Sequence, residues 1–248
     1  MPDRARRLLL LGGTAEARAL GAALADAAVD TVTSLAGVTA APLPYTGELR
    51  RGGFGGVEGM AAYLREQGIG AIIDATHPFA EQISANAVKA AARAGVPLAR
   101  LARPPWRPGP GARWRDATDI GAAIGMLPTG AHGFLAAGVS AAAVLPERPD
   151  ICLTLRAIEP PDAPLPQGTQ VILARPPYDR AGEETLFARL GVTHLICKNA
   201  GGRAGRAKLE AAAKLGIAVL MIPQPRLTPA DAVLDGQAAA LAWARAQL

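Results

Sequence analysis

A single phrase recurs along this chain of 248 residues: a short apolar run, a glycine-containing turn, then an alanine-rich helical stretch. Residues 8–11, four consecutive leucines, read as a buried strand, and 15–25 as a helix with Leu20 and Leu24 on one face. Residues 31–35 and 48–51 read as strands, 57–67 as a helix stopped by Gly68, and 71–74 as a strand. Residues 80–94 form a further helix, stopped by Gly95, before a strand at 97–101. Strands alternating with helices of this length predict an α/β fold with parallel sheets and helices on both faces.

Residues 103–115 break the rhythm with Pro104, Pro105, Pro108 and Pro110 and read as loop, because proline neither donates to a ladder nor sits inside a helix. A helix near 117–127 precedes Pro128, and the phrase then restarts. Strands are expected at 133–137, 151–158, 170–174, 194–197 and 218–222. Helices are expected at 140–145, 183–190, 204–215 and, closing the chain, 229–246. The expected division is therefore two Rossmann-like domains, 1–128 and 129–248, with the active site in the cleft between them. The stretches from Gly70 to Pro104 and from Thr193 to Arg226 share a local grammar, through either duplication or convergence of βαβ units.

The balance of 26 Lys and Arg against 21 Asp and Glu gives a net charge of +5. Such a surplus is either a plain solvated surface or the mark of an anionic partner. Aromatics at 4% argue against a stacking platform for single-stranded nucleic acid, so no nucleic-acid partner is expected. Two cysteines and three well-separated histidines exclude a disulfide framework and predict no metal. No apolar run approaches the roughly 20 residues needed to span a bilayer. The leucine run ends at Gly12, short of the roughly 7–15 residues of a signal-peptide core, so a cytoplasmic location is expected.

The first strand leads through Gly12 and Gly13 into Thr14, Ala15 and a helix. Glycines let backbone approach a ligand closely, and a helix N-terminus offers N–H donors and partial positive charge to a phosphate. Thr14 reads either as the helix cap or as a phosphate donor. The second strand ends Ser34-Leu35-Ala36-Gly37, without the acidic residue that would bind a free ribose diol. The hydroxyls of Ser34 and Thr39, with Arg50 and Arg51 further on, suit a 2′-phosphate better. The glycine-dense stretch containing Gly52 and Gly53 reads either as bare backbone against a cofactor or as a mobile loop.

The fourth strand ends Asp74-Ala75-Thr76-His77-Pro78-Phe79, polar residues at the end of a parallel strand where α/β sites form. His77 reads as a proton or hydrogen-bond donor, or as a capping residue; Asp74 reads as ordering the loop. In the second half Lys198-Asn199-Ala200-Gly201-Gly202 stands at the corresponding strand end. Lys198 and Asn199 suit an anionic or carbonyl ligand, while Gly201 and Gly202 open the backbone. Arg103 and Arg175 each precede a proline pair and an aromatic, and arginine binds carboxylates bidentately.

These strings together resemble the precorrin-6A reductase (cobalt-precorrin-6A reductase) family of cobalamin biosynthesis. The resemblance is carried by Leu11-Gly12-Gly13-Thr14-Ala15-Glu16-Ala17-Arg18, Ser34-Leu35-Ala36-Gly37, Asp74-Ala75-Thr76-His77-Pro78-Phe79-Ala80, Arg103-Pro104-Pro105-Trp106 and Lys198-Asn199-Ala200-Gly201-Gly202, and it spans residues 8 to about 226. It implies NADPH-dependent reduction of the macrocycle of precorrin-6A to precorrin-6B on two Rossmann-like domains. Relatives are expected to carry a basic residue where this chain has Val38. On this reading Gly12, Gly13, Thr14, Ala15, Ser34, Leu35, Ala36, Gly37, Thr39, Gly52, Gly53, Thr76, His77, Pro78 and Phe79 bind cofactor. Arg103, Arg175, Lys198, Asn199, Gly201 and Gly202 hold a polycarboxylate tetrapyrrole, and His77 and Lys198 are the catalytic candidates. The alternatives are another NADP-dependent reductase of an anionic small molecule, or a non-catalytic nucleotide-sensing module.

Overall fold

A computed structural model describes residues 7–37, 43–162 and 164–248; Val38 and Thr39 lie outside the described residues. The chain forms two units, one running to Arg103 and resuming at Pro225, the other spanning Pro104–Gln224.

The first unit is built on β1 (Arg7–Leu11), β2 (Thr31–Leu35), β3 (Glu48–Arg51), β4 (Ile69–Asp74) and β5 (Leu98–Leu101), with α1 (Ala15–Asp26), α2 (Gly56–Glu66) and α3 (Glu81–Ala94). The leucine run of β1 is buried on both faces because the strand alternates its side chains. Leu8 and Leu10 pack with Leu20 and Leu24 of α1. Leu9 and Leu11 pack with Met60 and Leu64 of α2 and Ala87 and Ala90 of α3. Each fully buried leucine contributes roughly 1.5–3 kcal/mol, so this strand anchors both layers.

The second unit contains β6 (Arg113–Asp116), α4 (Ile120–Gly125), β7 (His132–Ala136), a 3-10 helix (Val139–Val144), β8 (Cys152–Ala157), β9 (Thr169–Leu173), α5 (Arg180–Leu190), β10 (His194–Lys198), α6 (Ala207–Lys214) and β11 (Ala218–Ile222). The chain then returns to the first unit as β12 (Ala232–Leu234) and α7 (Gly236–Gln247). All pairings in both sheets are parallel.

The two six-stranded sheets have one topology. The first runs β12-β5-β4-β1-β2-β3 and the second β6-β11-β10-β7-β8-β9. Each is a doubly wound sheet, with one exchange between the halves. The strand that follows β5 in sequence, β6, joins β11; the strand that follows β11, β12, joins β5.

That exchange moves the expected boundary at 128/129 to 103/104 and adds a return at 225. It also corrects two local readings. The end of the expected 103–115 loop is strand: Arg113–Asp116 form an edge strand. Its sequence Arg-Trp-Arg-Asp carries no apolar run because only one neighbour and one face claim it. The expected helix at 229–246 begins as strand, Ala232–Leu234, with Val233 70% exposed at the sheet edge; the helix starts only at Gly236. Among the described residues no helix is long and apolar enough to cross a membrane.

The two cysteines sit in opposite environments. Cys152 is exposed, whereas Cys197 is buried in β10 and its thiol is pushed up by burial. A thiol-specific chromogenic reagent is therefore expected to titrate Cys152 alone in the native chain and both thiols after unfolding.

Candidate active site

In a doubly wound sheet, ligand sites form where strand order reverses, at the carboxyl ends of the two central strands. In the first sheet these strands are β1 and β4, which pair with each other and then wind outward in opposite directions. The loops leaving them are the glycine turn and residues 75–79.

The two glycines of the turn serve different ends. A Cβ on Gly12 would stand 3.1 Å from Leu35, 3.2 Å from Thr33 and 3.4 Å from the Tyr45 hydroxyl, so Gly12 is a packing glycine. Gly13 has φ +110° and nothing within 4 Å of its Cβ position, so it supplies conformation and an open face. Thr14 caps α1: its Oγ1 accepts the Ala17 N–H at 3.0 Å and donates to the Ala75 carbonyl at 2.9 Å. That second bond ties the turn after β1 to the turn after β4. The hydroxyl is thereby spent on the protein, and the capping reading of Thr14 holds. Ala15 opens the helix, and its first-turn amides have no intrahelical acceptor. Tyr45, which no pattern in the sequence marks, adds a brace. Its hydroxyl accepts the Gly13 N–H at 3.1 Å and donates to the Thr14 carbonyl at 3.4 Å.

The ends of β2 and β3 lie beside this turn. The Gly12 N–H donates to the Ser34 carbonyl and the Gly52 N–H to the Leu35 carbonyl, both at 2.9 Å. Gly37 approaches the Gly52 backbone, with 3.8 Å from its Cβ position to the Gly52 nitrogen. Ser34 and Leu35 are buried, Ala36 and Gly37 exposed. The separate strings 12–15, 34–37 and 52–53 are thus one neighbourhood.

Asp74 organises the loop after β4. It is 2% exposed, and its carboxylate accepts four hydrogen bonds. Oδ1 takes the Thr76 N–H at 3.2 Å and the Thr76 hydroxyl at 2.7 Å. Oδ2 takes the Ser84 hydroxyl at 2.7 Å and Arg100 Nε at 3.1 Å. Arg100 Nη1 also donates to the Thr228 carbonyl at 2.9 Å, fastening the returning C-terminal segment to the same node. Thr76 therefore turns its hydroxyl toward Asp74. His77 Nδ1 accepts the Phe79 N–H at 3.3 Å, which assigns the ring proton of the neutral imidazole to Nε2. Its ring lies 5.7 Å from that of Phe79; both are half-buried, and Pro78 is buried.

Arg103 belongs to this unit. Its guanidinium is 3.6 Å from Glu16 in the first turn of α1. Burial pulls the Arg103 pKa down and Glu16 draws it back up.

In the second sheet the order reverses between β7 and β10. Lys198 ends β10 and is half-buried, and Gly201 and Gly202 follow with φ +65° and +73°. Asn199 is spent on Trp106: Oδ1 accepts the Trp106 N–H at 2.8 Å and Nδ2 donates to the Trp106 carbonyl at 3.0 Å. The Trp106 indole donates to the Gly202 carbonyl at 2.7 Å, and the buried Lys208 lies over its ring. Asn199 thus shapes the turn that carries Lys198, a role hidden in sequence because its partner is 93 residues away. Arg175 pairs with Glu159 at 2.7 Å. It follows the edge strand β9, three strands from β10 and so roughly 14 Å away across the sheet. Among the described residues no cluster of His, Cys, Asp and Glu could hold a metal ion.

Fold and site define a class: a Rossmann-like α/β protein of two units, the first with a glycine turn opening onto its switch point. The pattern of the precorrin-6x reductase CbiJ/CobK family matches residues 7–245, and the chain belongs to that family. It is 46% identical over 239 residues to the precorrin-6A reductase of Rhodococcus erythropolis, covering 96% of each chain. It is 43% identical over 234 residues to that of Rhodobacter capsulatus, covering 93% of each. The cobalt-precorrin-6A reductase of Priestia megaterium is 30% identical over 238 residues, with 89% and 91% covered. Among solved structures, a CobK precorrin-6A reductase superposes with TM-score 0.89 at 40% identity, covering 98% of this chain and 97% of that one.

Proposed function

We propose that this chain reduces the macrocycle of precorrin-6A to precorrin-6B with NADPH as the hydride source. The observation that carries the reading is the Thr14–Ala75 hydrogen bond, which joins the glycine turn and the His77 loop at the switch point of the first sheet. The residues present fit a dinucleotide. Gly13 leaves an open face beside the first-turn amides of α1, and no carboxylate stands at the end of β2.

NADPH, when bound, supplies the hydride; the protein supplies position and charge. Gly13 and Ala15 receive the pyrophosphate, and Ser34, Leu35 and Gly37, with Gly52 and Gly53, flank the adenosine ribose. Asp74 fixes Thr76 and through it the loop bearing His77, Pro78 and Phe79, which would hold the nicotinamide. His77 would serve on that loop as a hydrogen-bond or proton donor to the reacting edge of the substrate. A tetrapyrrole rich in acetate and propionate groups suits a chain of net charge +5, and Lys198 offers its ammonium to one such carboxylate.

The test is oxidation of NADPH dependent on precorrin-6A, repeated with Lys198→Ala. The variant is expected to raise KM for the tetrapyrrole about tenfold, the cost of one charge-assisted bond, with the NADPH Kd unchanged. No turnover with precorrin-6A refutes the reading. A loss confined to NADPH affinity refutes the role given to Lys198.

A further inference from the structure

We propose that Arg50, seated on Ser34, is the residue that distinguishes a 2′-phosphorylated dinucleotide from its unphosphorylated counterpart. The proposal rests on the NADPH reading above and assigns within it a residue that sequence left shared between Arg50 and Arg51.

The pairing of β2 with β3 places Ser34 opposite Arg50, so the two side chains share a face of the sheet, and Arg51 projects from the other. Arg50 is half-buried and Arg51 exposed. The Arg50 guanidinium is held by three hydrogen bonds and an aromatic face. Nη1 donates to the Gly52 carbonyl at 2.5 Å and to the Ser34 hydroxyl at 3.3 Å. Nη2 donates to the Gly53 carbonyl at 2.7 Å. The group stacks 3.7 Å above the Phe54 ring and lies 5.2 Å from that of Tyr63.

Every one of these partners is neutral. Among the described residues no carboxylate lies within ion-pair distance of Arg50, whereas Arg7 has Asp30 and Glu48, Arg100 has Asp74, and Arg103 has Glu16. A cation preorganised by carbonyls and an aromatic face, but left without a counter-charge, is built to receive an anion. The Ser34 hydroxyl accepts from Arg50, so its own hydrogen is available to a second acceptor. Ser34 stands at the carboxyl end of β2, the position that meets the adenosine ribose in a sheet of this order, and Arg50 lies beside it on β3. The Cβ positions of Gly52 and Gly53 meet nothing within 4 Å, so the loop clamped by Arg50 leaves room on that side. A phosphomonoester matches these donors; a bare diol, which needs an acceptor carboxylate, does not.

The experiment compares the wild-type chain with Arg50→Gln, Arg50→Lys and Arg51→Gln by titrating NADPH and NADH against nicotinamide fluorescence. Arg50→Gln is expected to raise the NADPH Kd about ten- to hundredfold while the NADH Kd stays within about twofold. Arg51→Gln is expected to change neither. Arg50→Lys keeps the charge and loses the fork, so it retains part of the preference, and added salt erodes that remainder faster than the wild-type preference. Equal losses for NADPH and NADH in Arg50→Gln would reduce Arg50 to a loop support and overturn the proposal, as would an undiminished preference. A wild-type chain that binds both dinucleotides alike overturns the cofactor reading itself, and is told apart by needing no variant.

Discussion

Gly13→Val abolishes dinucleotide binding and leaves a folded chain: this is the expected result of a fluorescence titration paired with a thermal melt. At φ +110° a β-branched residue is strained, at a cost of roughly 1–3 kcal/mol. A domain with about 5–15 kcal/mol of stability survives that loss. No protein atom lies within 4 Å of the new Cβ, so packing adds nothing to the cost. The loss falls on the ligand side, where the two methyl groups occupy the open face beside the first turn of α1. Gly12→Ala is the contrasting variant. Its Cβ meets Leu35, Thr33 and Tyr45 at 3.1–3.4 Å, so β2 and the Tyr45 brace must give way and stability falls along with binding. Wild-type affinity in Gly13→Val would remove the dinucleotide from the glycine turn.

Glu183→Ala is expected to cost the second unit about 3–5 kcal/mol, because it strands a buried arginine. Arg156 is 8% exposed and Glu183 2% exposed, and they form an ion pair beneath the turn between β9 and α5. The Arg156 guanidinium lies 3.9 Å above the Tyr178 ring and 5.1 Å from that of Phe134, so it cannot reach water without unpacking both. Glu183 Oε2 has no hydrogen-bond partner, which marks the pair as incompletely compensated. Replacing both partners, Arg156→Met with Glu183→Leu, is therefore expected to recover most of the loss. The check is urea unfolding followed by tryptophan fluorescence, to which Trp106 and Trp114 report from the second unit. A Glu183→Ala chain as stable as the wild type would show that the charges are already solvated.

The candidate site divides into what is local in the sequence and what is not. The motifs at 12–15, 76–79 and 198–202 are visible in sequence because each is a local event: an apolar strand ends and polar or glycine residues follow. What those residues touch is not local. Thr14 reads equally as cap or ligand donor until Ala75 is found 61 positions away. Asn199 has the chemistry of a ligand contact, and only the structure shows it bridging the Trp106 N–H and carbonyl. Arg103 reads as a substrate residue from its Arg-Pro-Pro-Trp string, and only the structure shows it against Glu16, 87 positions away. Tyr45 follows no period and precedes no helix, so nothing before the structure singles it out.

Sequence alone determined the α/β class, the parallel sheets with helices on both faces and the strand ends proposed to carry the site. These follow from the spacing of apolar runs and helix stops along the chain, which local sterics and burial translate directly into strands and helices. Tertiary structure alone decided where the units divide. β6 and β12 are short edge strands, held by ladder hydrogen bonds to one neighbour, and backbone hydrogen bonds leave little trace in side-chain pattern. The fold also decided which arginine faces Ser34. Arg50 and Arg51 are adjacent and chemically identical. Only the register of β3 on β2 puts one over Ser34 and turns the other to solvent.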